Sequence, residues 1–349
     1  MTSVNIIYVD NGLGLSRDFR LLAGALRLNG CDVAATALSD RDERWRRKQR
    51  SQWIARSRRW WRRATAKDTP RRFDINLMLE HLWPAYFDQA RHNVALPNPE
   101  WFDRHDMRYL RDIDMVWAKT QNGVGIYEQL DCAAFCVGFA SDDRFDPAIA
   151  REREFLHLAG GSRTKGTRHT MEVWARHPEW PRLTVLQDPR EAGTAVTASN
   201  IDHRIEFLNS AEPGGYARLR QLQNGNAFHL CLSETDAWGH YLVEAMGVGA
   251  VTLTTDAPPM NELVSPARGI LVPYATTGRI SLATTYRFDE QAFVASLERA
   301  LALSDAEVQA IGTQAREWFL ENNRTFPVRI SAAVEATLRM RRPSERPAS

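Results

Sequence analysis

The sequence predicts an α/β protein built from two doubly wound domains, and three observations carry that prediction. Short apolar runs alternate with amphipathic stretches at helical spacing along most of the chain, the pattern of strands covered on both faces by helices. With 349 residues and 44% hydrophobic content, the chain is long enough to bury two ordinary cores. Leu230 to Val264 reads strand, loop, helix, strand in quick succession, which is a βαβ piece of a parallel sheet with its loop at the strands' carboxyl ends.

Asn5 to Val9 is the first strand, followed by a loop carrying Gly12 and Gly14 and by a helix from about Arg17 to Leu28 that Gly30 closes. This loop lacks the third glycine of a dinucleotide fingerprint. Asp32 also follows too closely to be the acidic residue expected about 20 positions on, so no nicotinamide cofactor is expected. Val33 to Leu38 is the second strand. Residues 41–72 then carry 14 Lys and Arg against three acids, a local balance of +11 in a chain whose total is +2, so the remainder stands at −9. Read as a helix, this segment gathers Trp45, Trp53 and Trp60 on one side among Arg46, Arg47, Arg50, Arg58, Arg59, Arg62 and Arg63. Tryptophan among arginines suits an anionic membrane surface.

Ile75 to Leu79, Asn93 to Leu96, Met115 to Ala118 and Ala134 to Val137 are the next strands. Polar residues or glycine follow each: Glu80 and His81, then Asn98 and Glu100, then Lys119 and Thr120, then Gly138 with Ser141, Asp142 and Asp143. In an open parallel sheet these loops line one crevice, so together they are expected to touch substrate, although each alone also reads as a cap or a solvated loop. His81 can shuttle a proton or donate a hydrogen bond, or it can be a satisfied structural histidine.

The apolar pattern breaks near Asp142 to Arg151, where a second domain is expected to begin. Glu154 to Ala159 is its first strand. Gly160-Gly161-Ser162-Arg163-Thr164-Lys165-Gly166-Thr167 turns it into a helix from about Arg168 to Ala175. Glycines let backbone amides converge on an anion, the helix start adds partial positive charge, and Lys165 adds a full one, which together suit a diphosphate. Leu183 to Leu186, Ile205 to Leu208, Phe228 to Leu232, Val251 to Thr254 and Gly269 to Val272 are further strands. After the Phe228 strand, Thr235 or Asp236 can cap the next helix, and Gly239 lets a ligand approach the backbone. Leu242, Val243 and Met246 give that helix its apolar face, and Gly247 ends it. Pro258 to Glu262 closes the Val251 strand. Helices from about Asp289 to Leu303, Asp305 to Glu321 and Val328 to Met340 precede a Pro, Arg and Ser tail expected to be disordered.

Asp236, seven residues, then Glu244-Ala245-Met246-Gly247, together with the Lys165-Gly166 pair, resembles the donor site of the retaining GT-B glycosyltransferases of family 4. Aspartate stands where that family usually has glutamate, one methylene longer. The resemblance implies two Rossmann-like domains facing a cleft: 1–145 for the acceptor, 150–325 for the donor, and 326–349 as a crossing helix and tail. It implies that Glu244 holds the donor ribose, that Asp236 meets the transferring sugar, and that Lys165 binds the diphosphate with Gly160, Gly161, Ser162 and Arg163. Gly239, His240 and Glu262 would complete the donor pocket, with Gly12 and Gly14 facing it. Glu80, His81, Asn98 and Glu100 fall on the acceptor side, and Asp236, His81 and Lys165 are the catalytic candidates. The activity implied is transfer of a sugar from a nucleotide diphosphate donor to an acceptor hydroxyl, in polysaccharide, glycan or glycolipid synthesis.

No cofactor and no metal are expected, because Lys165, loop amides and helix dipoles can stabilise the departing diphosphate. No Asp-x-Asp motif follows a strand. Cys132 and Cys136 lack metal spacing, and Cys31 and Cys231 sit in apolar contexts, so reduced core thiols are expected. The chain has no long apolar window and no signal-peptide order, so a cytoplasmic location is expected, peripheral on the inner membrane face if 41–72 binds lipid. The acceptor is then a glycan or a lipid-linked sugar. The rival reading is a nucleic-acid or anionic-polymer binding protein, or an inactive transferase-like module, organised around 41–72. Nucleic acid is disfavoured because such a binder has no use for Lys165, Asp236 and Glu244 together. Among enzymes, a sugar-nucleotide epimerase of the same two-domain fold is the other reading.

Overall fold

The computed structural model describes residues 1–12, 14–39, 42, 71–191, 196–206 and 215–340. The Trp and Arg residues behind the membrane expectation, positions 207–208 and the tail lie outside the described residues. The chain divides into two compact units: Met1–Phe139 together with the chain from Thr325, and Ala140–Arg324.

In the first unit the elements run β1 (Ser3–Val9), α1 (Gly14–Leu28), β2 (Asp32–Leu38), β3 (Phe73–Leu79), β4 (Ala90–Leu96), α2 (Arg104–Met107), β5 (Met115–Ala118), α3 (Gln121–Glu128) and β6 (Ala134–Cys136). One sheet results, ordered β2-β1-β3-β4-β5-β6 and parallel throughout. A polar ladder fixes its register from inside. Thr36 donates to Asn5 (2.9 Å), Asn5 to Asn76 (3.3 Å) and Asn76 to Asn93 (3.2 Å), crossing four strands. Asn5, Asn76 and Asn93 are buried, so a one-residue slip would orphan their amides.

The second unit runs β7 (Glu152–Gly160), α4 (Thr167–Trp174), β8 (Leu183–Gln187), β9 (Ile201–Ile205), α5 (Gly215–Gly225), β10 (Asn226–Cys231), α6 (His240–Gly247), β11 (Val251–Thr255), α7 (Met260–Leu263), β12 (Gly269–Val272), β13 (Tyr274–Ile280), β14 (Ala283–Phe288), α8 (Glu290–Ala302) and α9 (Asp305–Leu338). Its sheet is ordered β12-β11-β10-β7-β8-β9, again parallel, with β13 and β14 forming a separate antiparallel ribbon. Phe155 stacks on Phe228 with ring centroids 4.7 Å apart, and Trp174 meets Phe155 edge-on at 5.0 Å, so aromatic packing ties α4 to β7 and β10.

Three elements differ from the sequence expectation. The strand expected at Ile205 to Leu208 is β9, Ile201–Ile205, because pairing from Leu183↔Ile201 to Gln187↔Ile205 selects a segment that is apolar only at its ends. The two terminal helices are one, α9, continuous through Pro327. Proline disfavours a helix interior, but packing holds this one: Phe326 lies 5.1 Å from Phe139, Thr337 accepts from the Trp117 indole at 3.2 Å, and the Pro327 carbonyl accepts from Asn29 at 2.7 Å. α9 belongs to the second unit through Arg324 and returns to the first from Thr325. The ribbon β13–β14 was not expected from apolar runs, since its strands are rich in threonine and β13 is exposed along nearly its whole length. Among the described residues, no helix is long and apolar enough to cross a membrane.

Candidate functional site

In the second unit the chain winds from β7 outward to β8 and β9, then returns to place β10 on the other side of β7. Loops leaving two such neighbouring strands diverge and open a crevice at their carboxyl ends. The β7 loop forms a short 3-10 turn over Arg163–Lys165, with the Ser162 side chain accepting from the Thr164 N–H. Gly166 then caps α4 in the left-handed region (φ 67°), and a Cβ there would lie 2.6 Å from the Leu232 carbonyl oxygen. Only glycine lets the turn press so closely on the end of β10. A backbone bond from Glu234 N–H to the Thr164 carbonyl (2.7 Å) clips the two loops together.

His157 secures the same junction from below. It is fully buried, with Nδ1 2.8 Å from the Leu230 carbonyl and Nε2 2.9 Å from the Thr167 hydroxyl. Burial lowers its pKa to about 4, so the ring is neutral near pH 7. Nδ1–H therefore donates to β10, and Nε2 accepts from the first residue of α4.

The clip brings Lys165 onto the β10 loop. Its Nζ lies 2.5 Å from Asp236 Oδ2 and 3.6 Å from the centroid of the Tyr241 ring, whose hydroxyl meets Ser233 Oγ at 2.7 Å. Burial pushes the Asp236 carboxyl upward, but the Lys165 ammonium, with hydrogen bonds from Lys165 and the Gly239 N–H, holds it below its ordinary value. Neither Thr235 nor Asp236 caps α6. Gly239, left-handed at φ 68°, is the cap residue, and Asp236 Oδ1 accepts its N–H at 2.8 Å. The start of α6 thus has no side-chain cap, and the positive end of its dipole favours an anion there.

Along α6, His240 Nδ1 lies 2.8 Å from Ser141 Oγ, which also accepts from the Trp238 indole at 3.2 Å. One turn on, Glu244 is 3% exposed, with Oε2 2.5 Å from Arg144 Nη1 and 3.2 Å from Gln223 Nε2. Gly160, Gly161 and Ser162 share the turn that carries Lys165. Arg163 does not join them: its side chain is 83% exposed and pairs with Glu191 at 2.5 Å. Glu262 is half-buried in the first turn of α7, at the end of β11. Sequence reasoning did not single out Tyr241, His157, Glu234 or Arg144, whose partners are brought to them by folding.

In the first unit the corresponding reversal lies between β1 and β3. After β1, the Gly12 N–H (φ 64°) donates to Ser16 Oγ at 2.9 Å, and Gly14 opens α1. After β3, Glu80 is itself left-handed (φ 64°). Buried His81 points Nδ1 at buried Asp106 Oδ2, 2.8 Å away. Asn98 accepts from Lys119 Nζ (3.0 Å), which also pairs with Asp18 (2.8 Å) and lies 4.8 Å from the Phe139 ring centroid. Glu100 is buried.

His81, Asp103 and Asp106 are the one group among the described residues whose ligand-type atoms converge, all within 4.8 Å. These carboxylates are already engaged: Asp103 accepts the N–H groups of His105 and Asp106, while Asp106 accepts those of Leu82 and Asp103 as well as His81. The cluster reads as a helix cap that orients His81.

No protein-family model matches the chain. No curated protein matches it in sequence. Solved structures do match. Sucrose-phosphate synthase from Thermosynechococcus elongatus superposes with a TM-score of 0.67 at 10% identity, over 96% of this chain and 99% of that one. A glycosyltransferase from Rickettsia africae gives 0.65 at 11% identity, over 96% and 97%. Anabaena Alr3699/HepE, solved in complex with UDP and glucose, gives 0.64 at 12% identity, over 95% and 99%. At such identities the likeness shows the fold, which is the two-domain GT-B architecture, with the C-terminal helix returning to the first domain.

Proposed function

We propose that this chain is a glycosyltransferase that moves a sugar from a nucleoside-diphosphate donor to an acceptor hydroxyl, with the anomeric configuration retained, as in the family 4 enzymes it resembles. The observation that carries the proposal is the meeting of Lys165 Nζ and Asp236 Oδ2, 2.5 Å apart, where the β7 and β10 loops diverge. The structural neighbours support it, one of them solved with UDP and glucose bound.

In this reading Lys165, the amides of the Gly160 to Gly166 turn and the starts of α4 and α6 stabilise negative charge on the departing diphosphate. Asp236 aims the Lys165 ammonium and accepts a hydroxyl of the transferring sugar. Glu244 recognises the ribose, His240 and Gly239 line the donor's path, and Glu262 borders the pocket. Gly12 and Gly14, with no side chain, are assigned the role of letting a ligand approach the backbone of the first unit. Glu80, His81, Asn98 and Glu100 contact the acceptor, a glycan or lipid-linked sugar, and His81, oriented by Asp106, serves in proton transfer or hydrogen bonding. Because Lys165 supplies the positive charge, no metal is required.

Incubating the protein with UDP-, GDP-, ADP- and dTDP-sugars tests the proposal. Slow donor hydrolysis or a thermal shift is expected with at least one, unchanged by EDTA. Inertness toward all of them would sink the reading, and activity lost in EDTA and restored by Mn²⁺ or Mg²⁺ would overturn its metal-free form.

A further inference from the structure

Ala140 opens the second unit, and the strap that follows it lies along one face of α6. Ser141 Oγ meets His240 Nδ1 at 2.8 Å, and Arg144 Nη1 meets Glu244 Oε2 at 2.5 Å. His240 and Glu244 are four residues apart, one helical turn, so the strap grips successive side chains of the same face. The strap is itself anchored. The Asn323 side chain accepts from Ser141 N–H (3.2 Å) and donates to its carbonyl (2.8 Å). Asn224 donates to the Arg144 carbonyl (2.8 Å) and accepts from Asp146 N–H (2.9 Å).

Arg144 is buried, and its guanidinium lies 5.1 Å from the Tyr216 ring centroid as well as against Glu244, Gln223 and Asp142. Burial alone would lower the pKa of this guanidinium, but Glu244, Tyr216 and Asp142 together more than offset it, so the group stays charged. With Arg144 and Gln223 both on Oε2, the rotation of the carboxylate is fixed.

We infer that Arg144 is a positioning residue for donor recognition: it holds the Glu244 carboxylate aimed at a ribose hydroxyl pair, so discrimination between ribose and deoxyribose runs through the strap. This rests on the donor-site reading of Glu244 above. A structural ion pair alone would affect stability and every ligand equally, whereas a positioning role separates ribonucleotides from deoxyribonucleotides.

The test measures affinities of UDP, GDP and ADP and of their 2′-deoxy and 3′-deoxy counterparts by calorimetry. The wild-type chain is expected to prefer the ribo form by about tenfold or more, in line with a charge-assisted hydrogen bond. In Arg144→Met the preference is expected to fall to within about twofold, with affinity for inorganic pyrophosphate unchanged, as pyrophosphate reads only the Lys165 side of the site. If Arg144→Met does not fold, Arg144→Gln, which keeps a hydrogen bond without the charge, reports the same ratio. Arg144→Lys is expected to restore part of it. A ribo preference that survives in the folded variants, or affinity for pyrophosphate and both nucleotides lost in parallel, overturns the inference. Failure of the wild-type chain to bind any nucleoside diphosphate overturns instead the reading on which it rests.

Discussion

The two sheets reverse their strand order in the same way, β1 beside β3 and β7 beside β10, yet the charged pairs near the carboxyl ends of the two sheets differ in access. In the first unit His81 with Asp106 and Lys119 with Asp18 are sealed, every side chain at or below 6% exposure. In the second, Lys165 and Asp236 keep 13% and 20%. Topology supplies a crevice in both places, and loop chemistry decides what each can do. A pair sealed in this way leaves no room for an incoming anion. An ion pair at a solvent-reached helix start can exchange one partner for an incoming anion.

The sharpest way to break that contrast is to remove the exchangeable cation. Lys165→Ala is expected to lower sugar-transfer or donor-hydrolysis turnover by about 10²–10³-fold, the usual cost of one charge-stabilising donor, with the fold intact by circular dichroism. Unchanged turnover and donor affinity would place the pair among the merely structural ones.

Gly166→Ala comes next. Its Cβ would meet the Leu232 carbonyl at 2.6 Å in a left-handed conformation, so a loss of at least about 2 kcal/mol is expected in urea unfolding, with donor affinity falling alongside. A neutral outcome would mean that the turn can retreat from β10.

The first unit should respond in the opposite sense. Asp106→Asn replaces an acceptor of three N–H groups with a half-donor, and a loss of about 2 kcal/mol is expected while nucleoside-diphosphate affinity stays within about twofold. A donor-binding loss larger than the stability loss would erase the distinction between the two reversals.

A pH dependence is expected from the second unit. His157 and His229 are pushed by burial to about 4 and about 3, from an ordinary value of 6.5. Below pH 6.5 the unfolded chain takes up protons that these folded rings refuse, so stability falls as pH falls, by about 1.4 kcal/mol per pH unit for each ring. The loss from His157 continues down to about pH 4. Urea midpoints between pH 7 and pH 5 should therefore decline in the wild type and decline less steeply in His157→Gln. Parallel slopes would show that the ring is not held neutral.

The weakest expected effect concerns the basic segment in the first half of the chain. Salt-sensitive binding to anionic but not zwitterionic vesicles is expected, weakened when Trp45, Trp53 and Trp60 are replaced together by Ala. Equal, negligible binding to both vesicle types at low salt would remove the membrane from the proposal.

Periodicity alone determined the fold class and located most strands to within a residue or two, because strands buried on both faces must be continuous apolar runs and the glycines that end them have little alternative. It misplaced β9, an edge strand whose identity comes from pairing with β8, and it divided α9 at a proline that packing overrides. The sequence also marks Lys165, Asp236 and Glu244, since glycine-rich turns and acidic spacing are local features. Their partnerships are not local. Lys165 meets Asp236 across 71 positions and Arg144 meets Glu244 across 100. His157 reaches a carbonyl 73 residues away. No pattern within a window encodes such contacts. They exist because the strand order sets β7 against β10, and because burial makes an unpartnered charge too costly to leave alone.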